Sequence, residues 1–75
     1  MEQALINQLC DLTKRWNEHE DVPPSQQSEC KQIGRKLNEA GGFKLMQNAY
    51  YEATAQNRAA SVVAAYFDGI GDWRW

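Results

Sequence analysis

Leu5, Leu9, Leu12 and Trp16 are spaced by four, three and four residues, which puts them on one stripe of an α-helix. Ile6 and Cys10 widen that stripe, and Gln3, Asn7, Asp11, Lys14 and Glu18 fill the opposite, solvated face. The spacing predicts a first helix over residues 2–18. Pro23 and Pro24 then interrupt it, because neither can sit inside a helix and each disfavours helical backbone in the residue before it. Ser25 offers a hydroxyl to cap the next helix. Cys30, Ile33, Leu37 and Ala40 form the apolar side of that second helix, predicted over 26–40, with Arg35 and Glu39 one turn apart as an ion pair. Gly41-Gly42 stops it, since glycine enters the left-handed backbone region without steric penalty.

Phe43, Met46, Ala49, Tyr50 and Ala53 carry helical spacing onward, and no glycine or proline intervenes before Asp68. One long helix is possible. A break near Gln56-Asn57 is favoured, because Asn57 can cap a fresh helix, giving segments over 43–55 and 58–68. Ala59, Val62, Val63, Tyr66 and Phe67 make the last apolar side, and Asp68-Gly69-Ile70 reads as a Schellman stop with Ile70 folding back on Ala65. Residues 69–75 form an aromatic tail. Alternating β-branched runs and hairpin turns are absent. The fold class predicted is all-α: one domain over 1–75, a bundle of three to four short helices with antiparallel neighbours.

Length limits what such a bundle can do. A chain of 75 residues buries only about 60% of its unfolded surface, and one small core supplies about 3–5 kcal/mol. Multidomain enzymes, barrels and nucleotide-binding sheets are excluded. The composition, 43% hydrophobic and 24% charged, is that of a globular chain. A net charge of −2 and a pI of 5.2 lack the basic signature of a nucleic-acid binder. The N-terminal stretch has neither a basic region nor an apolar run of leader length, and no segment has the roughly 18 apolar residues of a membrane span, so a cytoplasmic location is expected. There Cys10 and Cys30 read as small buried hydrophobes, with a bridge between the first two helices as the alternative.

Candidate chemistry is sparse. His19, the single histidine, lies in the acidic run Glu18-His19-Glu20-Asp21 without the ligand spacing of a metal site. Cys10 and His19 are nine residues apart, about 13 Å along a helix, too far for a nucleophile and its base. Gly41-Gly42 lacks the strand and Lys-Ser/Thr of a phosphate loop. No catalysis, cofactor or metal is expected. Lys31, Arg35 and Lys36 cluster on the second helix and define a possible nucleic-acid patch, but Glu29 and Glu39 are interleaved with them.

The aromatic supply near the C-terminus is the distinctive feature. Tyr66, Phe67, Trp73 and Trp75 fall within ten residues, behind Tyr50 and Tyr51. Each large ring buries about 150–250 Å², so a core this small is expected to leave some exposed as a contact patch. Trp73 has two placements open, as a lid beside Trp16 or outward. The expected interface comprises Tyr51, Phe67, Ile70, Trp73 and Trp75, and the alanines Ala59, Ala60, Ala64 and Ala65 allow close helix approach in a homodimer. The function expected is protein–protein interaction or self-association; the alternative is a small nucleic-acid-associated regulator using Lys31, Arg35 and Lys36.

The segments Ile33-Gly34-Arg35-Lys36-Leu37-Asn38-Glu39-Ala40-Gly41-Gly42 and Gly69-Ile70-Gly71-Asp72-Trp73, with Met46 between them, resemble small uncharacterised bacterial helical proteins sharing I-G-x-x-L-x-x-x-G-G and G-I-G-x-W patterns. The likeness begins near Ile33 and runs to the end of the chain. It implies a compact helical domain of bacterial origin and carries no activity or catalytic residue.

Overall fold

A computed structural model describes residues 2–73, and every element in it is helical. Helix α1 runs over Glu2–Thr13 and α2 over Pro24–Gln56. A 3₁₀ turn over Arg58–Val62 leads into the short helix α3 at Val63–Phe67. Ile6, Leu9 and Cys10 of α1 face a core completed by α2 and α3, as their spacing requires. No helix among the described residues is long and apolar enough to cross a membrane.

Helix α1 ends at Thr13, five residues before the expected end at Glu18. The reason is tertiary. A helix terminus leaves carbonyls without intrahelical partners, and here the side-chain amide of Asn57, far along the chain, donates to the Thr13 carbonyl (2.8 Å) and to that of Trp16 (3.0 Å). Trp16 is therefore carried by a turn, its N–H bonded to Thr13 O at 3.0 Å. Its indole enters the core and donates Nε1–H to Gln26 Oε1 at 2.7 Å.

Helix α2 starts at Pro24, two residues before the expected start at Gln26. Pro24 occupies its first turn, Pro23 stands at the cap position, and Ser25 lies inside the helix rather than capping it. Proline fits there because its missing N–H would have been an orphan and its fixed φ is already helical. The helix is broken at Gly42, whose φ of 71° and ψ of −159° are accessible essentially to glycine alone. Arms over 24–41 and 43–56 result. The first buries Cys30, Ile33, Gly34 and Leu37, and the second Leu45, Met46, Ala49 and Ala53. Ala40, expected on the apolar side, is exposed.

Asn57 accepts a hydrogen bond from the Ala59 N–H at 3.1 Å, capping the Arg58–Val62 turn. Beyond Phe67 the chain reverses twice, with positive φ at Gly69 (87°) and Gly71 (57°). Ile70 does not fold onto Ala65, which is exposed; it lies over Gly34 of α2. The two segments carrying the glycine-rich patterns thus pack against each other. A Cβ on Gly34 would stand 2.8 Å from two Phe67 ring carbons, and one on Gly71 would strike the Asn38 amide.

Candidate functional site

Aromatic rings form a connected series from the core to the surface. Phe67, fully buried, meets Trp73 edge-on with centroids 5.3 Å apart. Trp73 in turn meets Phe43 at 5.5 Å and Tyr50 at 5.6 Å, and Tyr50 meets Tyr51 at 5.7 Å. Phe43, Gln47, Tyr50 and Tyr51 lie on one side of the second arm of α2, where helical spacing brings residues three and four apart together. Phe43 is 38% exposed and Tyr51 58%.

This arrangement corrects two members of the expected interface. Phe67 and Trp73 are buried in their own chain, and the Trp73 indole donates Nε1–H to the Ala64 carbonyl at 3.0 Å. The turns at Gly69 and Gly71 fold the tail back over the core. There Trp73 acts as a lid on Phe43 and Tyr50, not beside Trp16, which meets Tyr66 at 6.1 Å. Ile70 is half-buried over Gly34, and Tyr51 is on the surface as expected. Trp75 lies outside the described residues. Phe43 belongs to the exposed face although its spacing placed it on the apolar side of its helix. Its position directly after the Gly42 break was the available signal, because the first residue of an arm has core on one side only.

Lys31, Arg35 and Lys36 are exposed. Lys31 and Arg35 line a groove of about 440 Å³, closed on other sides by Asn38, Glu39, Tyr66 and residues 68–71. Lys36 stands outside that lining. The expected Arg35–Glu39 pair does not close, and the ion pair found among the described residues is Arg58–Glu18 at 4.0 Å, between exposed side chains where such a contact contributes little.

Cys10 and Cys30 are both free and buried. Burial pushes the Cys30 thiol up to about 12, with Lys31 pulling weakly the other way; burial also raises Cys10, assisted by the charges of Glu52 and Asp11. Both remain thiols near neutrality and lack the thiolate that makes a cysteine nucleophilic. His19 is exposed, its backbone N–H bonded to Asn17 Oδ1 at 2.9 Å. Among the described residues no three His, Cys, Asp or Glu side chains converge to hold a metal ion. Compared with protein-family models, with curated proteins and with solved structures, the chain matches none of them.

Proposed function

We propose that this chain is a non-catalytic helical module that works by protein–protein contact, most simply with a second copy of itself. Its contact surface is the face bearing Phe43, Tyr50 and Tyr51. The supporting observation is the ring series, which ends in two large exposed side chains: Phe43 rests directly on the buried Trp73, and Tyr51 rests on Tyr50, which itself meets Trp73. Pre-positioned aromatic side chains are the residue type that dominates interface energetics, because little conformational freedom is lost when they are covered.

Sedimentation across a range of protein concentrations tests this reading. Self-association is expected in the parent chain, weakened about tenfold or more by Phe43→Ala combined with Tyr51→Ala, which corresponds to the roughly 1.4 kcal/mol that one good anchor exceeds. A parent chain that stays monomeric throughout removes the second copy as partner. Nucleic-acid binding through Lys31, Arg35 and Lys36 is less well supported, since Glu39 and Asp68 share the groove with two of these cations and would repel a continuous phosphate backbone. A low-salt filter-binding titration, where phosphate contacts are strongest, decides that alternative.

A further inference from the structure

The groove between the first arm of α2 and the 68–71 loop is separate from the aromatic face. Its exposed lining sets two cations on one wall opposite two glycine N–H groups on the other. Lys31 and Arg35 are successive-turn neighbours on its α2 wall. Neither closes an ion pair among the described residues, although Glu39 and Asp68 stand in the same lining. On the loop wall, the N–H groups of Gly69 and Gly71 meet no backbone acceptor among the described residues, while those of Ile70 and Trp73 are bonded to Phe67 O and Ile70 O at 3.0 and 3.1 Å.

The groove is also firmly built. Gly71 rests on the Asn38 amide, Ile70 rests on Gly34, and the Tyr66 ring is held edge-on against Trp16. At about 440 Å³ it is an open, largely polar groove with room for a small ligand lying along it.

We infer that this groove binds a small phosphate monoester of nucleotide or sugar-phosphate size, with its phosphate at Lys31 and Arg35 and its neutral part against Asn38, Tyr66 and Ile70. The guanidinium supplies paired donors matched to phosphate oxygens, and the ammonium adds a point charge beside it. Asp68 and Glu39 select the class. They accept hydrogen bonds from hydroxyl or amino groups on the neutral part, and they disfavour any ligand that carries a second phosphate across the groove. Tyr66 also lines a neighbouring hollow of about 320 Å³ whose charged residues are Glu18, Glu20 and Asp21, which offers an anion no such welcome.

Amide chemical-shift titration of the full chain at low salt, with AMP, inorganic phosphate, adenosine and a short single-stranded oligonucleotide as separate probes, tests the inference. AMP should move the resonances of residues 31–38 and 66–71, more strongly than phosphate or adenosine alone. Lys31→Ala or Arg35→Ala should weaken AMP about tenfold or more with unchanged circular dichroism, whereas Lys36→Ala, outside the lining, should leave it intact. Absence of shifts with AMP at millimolar concentration, or equal weakening by Lys36→Ala, overturns the site. Inorganic phosphate binding as tightly as AMP overturns the role of Asn38, Tyr66 and Ile70, and preference for the oligonucleotide overturns the ligand class.

Discussion

Gly34 shows how one missing methyl group can organise a core. A glycine-to-alanine change inside a helix ordinarily stabilises it by about 1 kcal/mol. Here the new Cβ would lie 2.8 Å from two carbons of the Phe67 ring, which is fully buried and pinned by Trp73 at 5.3 Å. Overpacking of that kind costs about 1–3 kcal/mol, so Gly34→Ala is expected to lower the urea midpoint despite its better helix propensity; a raised midpoint would show that the ring yields. Asn57 makes a different sort of bridge, capping the Arg58–Val62 turn with its oxygen while its amide holds the carbonyls of Thr13 and Trp16. Losing a cap costs about 1 kcal/mol and each hydrogen bond about another, giving about 2–3 kcal/mol for Asn57→Ala. Asn57→Asp retains the cap acceptor but cannot donate. Comparable destabilisation in the two variants would place most of the residue's contribution on its link to α1.

At the scale of elements, the apolar stripes were legible because they depend only on spacing: Leu9, Leu37, Met46, Ala53 and Val63 are all fully buried. Element ends were less legible because partners elsewhere determine them. The end of α1 at Thr13 depends on Asn57, and the run from Leu12 to Trp16 looks equally helical without it. The two prolines marked a boundary, yet sequence alone could not choose between Pro24 in the first turn and Ser25 as cap. For the candidate sites, counting rings drew attention to the aromatic residues, but it could not show that Gly69 and Gly71 would aim Trp73 inward and leave Phe43 outside. The groove was half visible: Lys31 and Arg35 share a helical face, whereas the loop opposite them is brought there by the fold. The break in α2 gives a direct test. An alanine Cβ at position 42 would meet no atom within 4 Å, so any cost of Gly42→Ala is conformational. About 1–3 kcal/mol is expected at such a backbone position, read as a lowered thermal midpoint.

For the whole molecule, burial of titratable groups sets the alkaline limit of stability. Desolvation raises Cys30 to about 12 and also raises Cys10 and Tyr66. Each raised group keeps its proton in the folded chain at pH values where the unfolded chain has released it. The native state then binds more protons, and stability falls as pH rises. Stability is expected to be fully present below the ordinary thiol value of 9.0 and to decline progressively toward pH 12. Urea midpoints measured across that window should show the decline, and Cys30→Ala should flatten it while lowering the curve throughout; a flat parent curve contradicts the buried-thiol account. The 31 × 22 × 19 Å shape itself depends on the break at Gly42, since an unbroken 33-residue helix would be about 50 Å long. The backbone angles there, 71° and −159°, are close to the mirror image of the polyproline II conformation. A D-alanine introduced at this position by chemical synthesis would occupy its own low-energy basin and restrict the unfolded chain, tightening a bend that L-alanine would strain. Opposite responses to two enantiomers at one position would identify handedness, rather than side-chain size, as what sets the break between the two arms of α2.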